Sequence, residues 1–127
     1  MKRLENLIKT FYDFPKKGIA FKDLLGIMQD PEVFRELIIK MSSSKVVRNS
    51  EAIISIEARG FIFGSAIALQ ASKPMLVARK PGNLPGELIQ EDYNLEYGKN
   101  LYLYKRKHSK NIDLLLLWMT FWQLVEQ

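Results

Sequence analysis

Two short apolar runs on either side of a longer mixed segment constrain the fold of this chain most. Ala52–Ile56 and Met75–Ala78 are continuous runs of the kind that forms strands buried on both faces of a sheet. The residues between them predict a helix that opens at Gly60. A strand, a helix and a second strand of these lengths form a βαβ unit with parallel strands. The sequence therefore predicts an α/β fold.

Weaker patterns precede this unit. The apolar residues of the N-terminal segment recur at helical spacing and predict an amphipathic helix over residues 2–12. The sequence FPKKG over residues 14–18 predicts a turn. Asp30 and Pro31 suit the N-cap and the first position of a second helix. The serine-rich segment over residues 42–50 is predicted to be a loop.

The patterns after the βαβ unit indicate a loop between strands. Two prolines and two glycines in PGNLPGE, residues 81–87, exclude a strand and predict an exposed loop or lid. Strands that form a hairpin are predicted to flank it, through LEYG at 95–98 and NLYLY at 100–104. Residues 112–117 are predicted to add one more core strand.

Composition narrows the class of protein. A chain of 127 residues suits one domain, and its net charge of +5 favours anionic partners. Because the chain has no cysteine, disulfides and thiolate metal sites are excluded. Polar residues interrupt the N-terminal segment, which therefore fails as a secretory signal, and a cytoplasmic location without membrane insertion is expected. The basic run KRKHSK, residues 105–110, matches no nucleic-acid-binding motif, and no nucleic-acid partner is expected.

Candidate chemistry lies where the two predicted core strands end. Ligands of open α/β sheets collect beyond the carboxyl ends of the strands. Arg59 follows the first strand, and Arg79 and Lys80 end the second, so both turns are cationic. A helix N-terminus and an arginine fork suit phosphate groups. The alternative for Arg59 is an ion pair with Glu57 on a tight turn.

Four motifs in register make the chain recognisable. FPKKGIAFKD, IEARGFIFG, RKPGNLPGE and YNLEYG occur in this order within residues 4–100. Together they resemble the adenine phosphoribosyltransferase family. This resemblance implies the type I phosphoribosyltransferase fold, a mostly parallel sheet with flanking helices and a lid hairpin. Residues 1–113 would form that domain, with its C-terminal part missing.

The resemblance also implies an activity. Members of this glycosyltransferase family make AMP and diphosphate from adenine and 5-phosphoribosyl 1-diphosphate in purine salvage. Mg²⁺ would be bound through the diphosphate substrate, with no metal ligands from the protein, and a cytoplasmic homodimer is expected. The alternative is a non-catalytic remnant of the same family that binds purine or dimerises.

Site residues follow from the motifs by resemblance. Glu96 would be the catalytic carboxylate that polarises the purine. The diphosphate-binding residues would be Glu57, Ala58, Arg59, Gly60, Arg79 and Lys80. The adenine-binding residues would be Ala20, Phe21 and Lys22. The lid would comprise Pro81, Gly82, Asn83, Leu84, Pro85, Gly86 and Tyr97. Core packing is the alternative for Phe21, and Asn83 stands where the family usually has lysine.

The last residues, 114–127, depart from the family. After LEYG, the family continues into a strand and a motif like VDDLLATGGT, which holds the 5-phosphate and the ribose hydroxyls. In a displaced frame, each new codon starts on the last base of the original one. In that frame the codons of Trp118, Met119 and Thr120 can only encode Asp-Asp. The same displaced frame then gives an apolar residue and Leu-Ala, and it permits Thr-Gly-Gly-Thr.

Residues 114–127 are therefore interpreted as an out-of-frame hydrophobic tail in place of the phosphoribosyl-diphosphate loop. The alternative is a genuine apolar tail that packs on the core or on a second copy. With that loop replaced, the chain as written is expected to be impaired or inactive.

Overall fold

The computed structural model describes residues 2–95, 98–104 and 114–116. The chain divides into two compact units, with the boundary between Lys40 and Met41. Residues 1–40 are called the N-terminal unit below, and residues 41–127 are called the C-terminal unit.

The N-terminal unit is built from short helices and a two-stranded antiparallel sheet. Its elements are α1 (Lys2–Leu7), β1 (Lys9–Tyr12), β2 (Ala20–Asp23), α2 (Leu25–Gln29) and the first part of α3 (Pro31–Ser42). The prediction of one helix over residues 2–12 is wrong beyond Leu7. The residues Thr10, Phe11 and Tyr12 are β-branched or aromatic, and pairing with β2 places them in a strand despite their helical spacing.

A tight turn joins β1 to β2, as the FPKKG motif predicts. Asp13 and Gly18 both have positive φ angles, 57° and 87°. The Gly18 N–H donates to Asp13 Oδ1 at 2.7 Å, and the Phe14 N–H donates to the Ile19 carbonyl at 3.3 Å. The Phe14–Pro15 peptide is cis. Glycine suits the backbone conformation at position 18 because it has no Cβ.

The start of α3 confirms the predicted cap. Asp30 Oδ1 accepts hydrogen bonds from the N–H groups of Val33 at 3.1 Å and Glu32 at 3.2 Å. Arg3 also binds the Asp30 carboxylate, at 2.6 Å. The hydrogen bond from the Val33 N–H, helped by Arg3, lowers the pKa of Asp30. Asp30 therefore caps the helix in its ionised form.

The C-terminal unit contains a five-stranded mixed sheet. Its elements after α3 are α4 (Lys45–Asn49), β3 (Ala52–Ile56), α5 (Arg59–Ala71), β4 (Met75–Arg79), β5 (Ile89–Leu95), β6 (Gly98–Tyr104) and β7 (Leu114–Leu116). The prediction of a loop over residues 42–50 is wrong, because Ser44 caps a short helix through a hydrogen bond from the Val47 N–H at 3.3 Å. Among the described residues, no helix has the length and apolar character needed to cross a membrane.

The strands of this sheet lie in the order β5-β6-β4-β3-β7. β3 pairs in parallel with β4 on one side and with β7 on the other. β6 pairs antiparallel with both β4 and β5, so β5 and β6 form the predicted hairpin. The strands predicted at 52–56 and 75–78 are confirmed. Within the described residues, the expected parallel pairing is limited to β4, β3 and β7.

The core of the C-terminal unit lies where α5 packs on β3. All five residues of β3 are buried, and Ile53 and Ile67 have no exposed surface. Gly64 of α5 sits directly over Ser55 of β3, since a Cβ at position 64 would lie 1.6 Å from Ser55 Oγ. The hydroxyl of Ser55 is buried without a hydrogen-bond partner. Glycine at position 64 therefore permits the close approach of helix and strand.

Replacing Gly64 with alanine is expected to destabilise the chain by about 3 kcal/mol, because the added methyl group overlaps Ser55. Urea unfolding measures the loss. In a Ser55→Gly background, the same replacement should cost much less, since the overlapping atoms are gone. Ser65→Ala, an exposed change one residue along α5, is the control and should have little effect. Equal stability of Gly64→Ala and the wild type would contradict this packing.

Candidate functional site

The cationic turns predicted from the sequence lie at one edge of the sheet. β3 and β4 are parallel neighbours, and Ile56 stands opposite Ala78. Beyond this pair, the Glu57 N–H donates to the Ala78 carbonyl at 3.0 Å. The turn after β3 and the segment after β4 therefore both begin at the carboxyl edge, where α/β sheets bind ligands.

The turn from β3 into α5 has features that suit an anion. α5 begins at Arg59, one residue before the predicted Gly60. Its N-cap, Ala58, has no side-chain acceptor for the N–H groups of the first turn. The partial positive charge of a helix N-terminus favours negative ligands. Arg59 and Gly60 are half-buried and Ala58 is exposed, while the Glu57–Ala58 peptide is cis.

Glu57 joins this turn to the segment after β4. Its carboxylate accepts hydrogen bonds from the backbone N–H of Lys80, from Arg79 Nε at 3.2 Å and from Asn83 Nδ2 at 3.4 Å. Arg79 also donates from Nη1 to the Asn83 carbonyl at 3.3 Å. The structure thus pairs Glu57 with an arginine of the neighbouring strand, whereas the sequence offered Arg59 as its alternative partner.

The charge state of Glu57 follows from these contacts. The hydrogen bond from the Lys80 N–H lowers the pKa of Glu57, and the Arg79 and Asn83 side chains act in the same direction. The side chain of Glu57 is 13% exposed and that of Arg79 is 38% exposed, so solvent weakens the pair without removing it. Glu57 is therefore ionised at neutral pH, and its charge partly offsets that of Arg79.

The predicted lid begins as an irregular loop. Residues 80–88 contain no helix or strand, and most of Pro81–Gly86 is exposed, with Leu84 half-buried. The Asn83 N–H donates to the Lys80 carbonyl at 3.3 Å, and Gly82 and Gly86 have φ angles of 88° and 94°. The loop prediction is confirmed. Glu96 and Tyr97, the other two predicted residues of this region, lie outside the described residues.

The predicted adenine-binding residues lie in β2 of the N-terminal unit. Ala20 is exposed, while Phe21 and Lys22 are half-buried. The Phe21 ring meets the Phe14 ring edge to face, with 5.2 Å between the ring centroids. Lys22 Nζ donates to Thr10 Oγ1 at 2.7 Å. Phe21 thus packs against another ring within its own unit.

The link between Glu57 and Asn83 was not foreseen from the sequence. These residues are 26 positions apart, and no local pattern indicates that the amide of one meets the carboxylate of the other. The one available signal was that both follow strands of the same βαβ unit. In the described part of the chain, no group of three or more acidic or histidine side chains could hold a metal ion.

The chain is similar in sequence to proteins of known name. No protein-family model matches the chain. A protein of Prochlorococcus marinus (strain MIT 9515) named adenine phosphoribosyltransferase is 66% identical over 105 residues. That match covers 83% of this chain and 61% of the relative.

Solved structures agree with the sequence match. The adenine phosphoribosyltransferase of Thermoanaerobacter pseudethanolicus superposes with a TM-score of 0.72 at 35% identity, covering 80% of this chain and 59% of that one. The enzyme of Giardia lamblia, complexed with 9-deazaadenine, gives a TM-score of 0.78 at 32% identity. It covers 91% of this chain and 65% of that one.

The match covers most of this chain but only part of its relatives. The chain spans about three fifths of the length of the Prochlorococcus relative, which is 61% covered. Two independent observations, high sequence identity and a shared type I phosphoribosyltransferase fold, apply to the same residues. The matched part of this chain therefore belongs to the adenine phosphoribosyltransferase family of glycosyltransferases.

Proposed function

We propose that the gene of this chain encodes an adenine phosphoribosyltransferase that forms AMP and diphosphate from adenine and 5-phosphoribosyl 1-diphosphate. The observation that carries the proposal is the cationic carboxyl edge of β3 and β4, with Arg59 at the start of α5. A diphosphate is a polyanion, and guanidinium forks, ammonium groups and the N–H groups of a helix start are the donors that bind it.

The proposed reaction develops negative charge on the departing diphosphate. A bond forms between a ring nitrogen of adenine and C1 of the ribose, and the bond from C1 to the diphosphate oxygen breaks with its electron pair leaving on the diphosphate. The proton of that ring nitrogen is released to the diphosphate or to solvent. Arg59 and the start of α5 would hold that charge as it develops, with Lys80 following the neighbouring strand at the same edge of the sheet. Residues 80–86 would close over the substrates and exclude water from the cationic ribose.

Mg²⁺ is proposed to bind through the diphosphate substrate. The described donors at this edge, guanidinium and backbone N–H groups, bind anions and not cations. The ion would neutralise part of the diphosphate charge when it is bound.

Adenine binding is proposed for the N-terminal unit. The structure of the Giardia lamblia enzyme contains 9-deazaadenine, an adenine analogue, and that enzyme is 32% identical to this chain. Ala20, Phe21 and Lys22 are the residues that the family motif assigns to the base. The exposed backbone at Ala20 supports this, because a base edge can be recognised through backbone groups. Glu96 remains the proposed catalytic carboxylate.

We propose a homodimer as the assembly and the cytoplasm as its location. Ile62 and Leu69 of α5 are 38% and 84% exposed, and a spacing of seven residues places them on one face of the helix. An exposed apolar face of this kind supports contact with a second copy.

The tail limits what the chain as written is proposed to do. Residues 114–127 are proposed to be read out of frame, so that the loop for the 5-phosphate and ribose hydroxyls is replaced. The second candidate function, a non-catalytic remnant of the family that binds purine or dimerises, is supported by the adenine segment at residues 20–22 and the Arg59 turn, both present in the described residues.

One pair of measurements separates these candidates. The purified 127-residue chain is expected to bind AMP saturably in calorimetry and to form no AMP above background from adenine and 5-phosphoribosyl 1-diphosphate. A flat AMP titration would contradict purine binding. Turnover close to that of a full-length relative would contradict the need for the replaced loop.

A further inference from the structure

The carboxylate of Glu57 connects the turn after β3 to the residues at and after the end of β4. Three donors converge on it, from the last residue of β4 and from the segment that follows: Arg79 Nε, the Lys80 N–H and Asn83 Nδ2. The backbone of Glu57 is fixed as well, since its N–H binds the Ala78 carbonyl at 3.0 Å. Hydrogen bonds therefore hold both the backbone and the carboxylate of Glu57 in place.

A carboxylate is a poor ligand for a diphosphate, because the two charges repel. Glu57 nevertheless stands one residue before Ala58, the N-cap of α5, and its side chain is only 13% exposed. An acid in this place needs a reason other than direct contact with the ligand. Its contacts supply one, since they hold the first turn of residues 80–86 against the end of β3.

Asn83 extends the same contact into the loop. Its side-chain amide binds Glu57 at 3.4 Å, its N–H binds the Lys80 carbonyl at 3.3 Å, and its own carbonyl accepts from Arg79 at 3.3 Å. These bonds close a small ring of contacts around residues 79–83. Opening that ring would release the start of the loop.

We propose that Glu57 is a positioning residue, which holds the 79–83 segment so that its cationic groups are presented to a diphosphate bound at the Arg59 turn. The inference rests on the proposed function. It predicts that removal of the Glu57 charge weakens diphosphate binding, although simple repulsion predicts that the same removal strengthens it. The sign of the effect therefore decides between positioning and repulsion.

The test titrates the 127-residue chain and its Glu57→Gln variant with inorganic diphosphate in calorimetry. The variant is expected to bind roughly tenfold more weakly, the size typical of coupling between sites. Glu51→Gln is the control, because it removes the same charge from an exposed residue just before the amino end of β3. Asn83→Ala removes one donor and should show a smaller loss in the same direction.

Trypsin cleavage after Arg79 gives a readout that does not depend on diphosphate. The protease must take up the arginine side chain, which Glu57 and the Asn83 carbonyl hold in place. Cleavage at Arg79–Lys80 is expected to be several times faster in Glu57→Gln than in Glu51→Gln. Glu57→Asp, which keeps the charge on a shorter side chain, should be cleaved at an intermediate rate.

The outcomes are distinct. Diphosphate binding by the wild type with equal or tighter binding by Glu57→Gln would overturn the positioning role and leave the proposed function intact. Unchanged cleavage after Arg79 would also overturn it. No diphosphate binding by the wild type would overturn the proposed function itself, and the inference with it.

Discussion

A protein translated in the displaced frame from about Leu114 onward is expected to form AMP roughly a thousandfold faster, or more, than the 127-residue chain. The displaced frame supplies paired aspartates and permits a Thr-Gly-Gly-Thr loop. By resemblance to the family, such groups would hold the ribose hydroxyls and the 5-phosphate and position the sugar for transfer. The loss of well-placed transition-state contacts commonly costs several orders of magnitude in rate.

The comparison needs a control that separates restored chemistry from improved folding. Arg59→Ala in the restored protein should remove most of the gained turnover, while its far-ultraviolet circular dichroism stays the same. The gene itself gives an independent check. The codons of Gln123 to Gln127 should read Thr-Gly-Gly-Thr in the displaced frame, and that frame should remain open beyond them. A stop codon immediately afterwards would refute the interpretation of the tail.

Replacing Arg59 with alanine in the 127-residue chain is expected to weaken diphosphate binding roughly 10- to 100-fold, the range for hydrogen bonds that involve charged groups. Arg59 presents a planar fork at the start of α5, where the helix dipole acts on the same ligand. Arg59→Lys keeps the charge without the fork and should bind with intermediate affinity. Calorimetry at physiological salt avoids overstating surface charge effects.

Arg48→Ala is the matched control for this measurement. Arg48 is an exposed arginine of α4, on the amino side of β3 and so away from the carboxyl edge. Its loss changes the net charge by the same amount as the loss of Arg59. Equal weakening by the two variants would show that diphosphate binds through general charge, and it would contradict a specific site at the turn.

The sequence predicted the central strands well because their burial leaves a strong pattern. A run such as Ala52–Ile56 has few alternatives to a strand with both faces covered. The N-terminal helix was extended too far because residues 9–12 carry helical spacing and also pair with β2. The helix α4 was missed because five residues capped by Ser44 give too short a pattern to distinguish from a loop.

The candidate site was predictable only as far as topology determines it. Parallel strands must end at the same edge, so Arg59, Arg79 and Lys80 could be placed together in advance. The partners of each charged group could not be placed. Glu57 accepts hydrogen bonds from Arg79 and from the loop beyond it. These partners lie more than 20 positions from Glu57, and only the folded chain brings them together.

Amide chemical-shift mapping during a diphosphate titration tests the cationic edge most directly. In the ¹⁵N-labelled 127-residue chain, saturable shifts are predicted for the amides of Ala58–Phe61 and of Lys80, Gly82 and Asn83, with little change at Arg48. Saturable shifts confined to other parts of the chain, or no saturable shift at the turn that begins α5, would contradict the assignment of this edge as the diphosphate site.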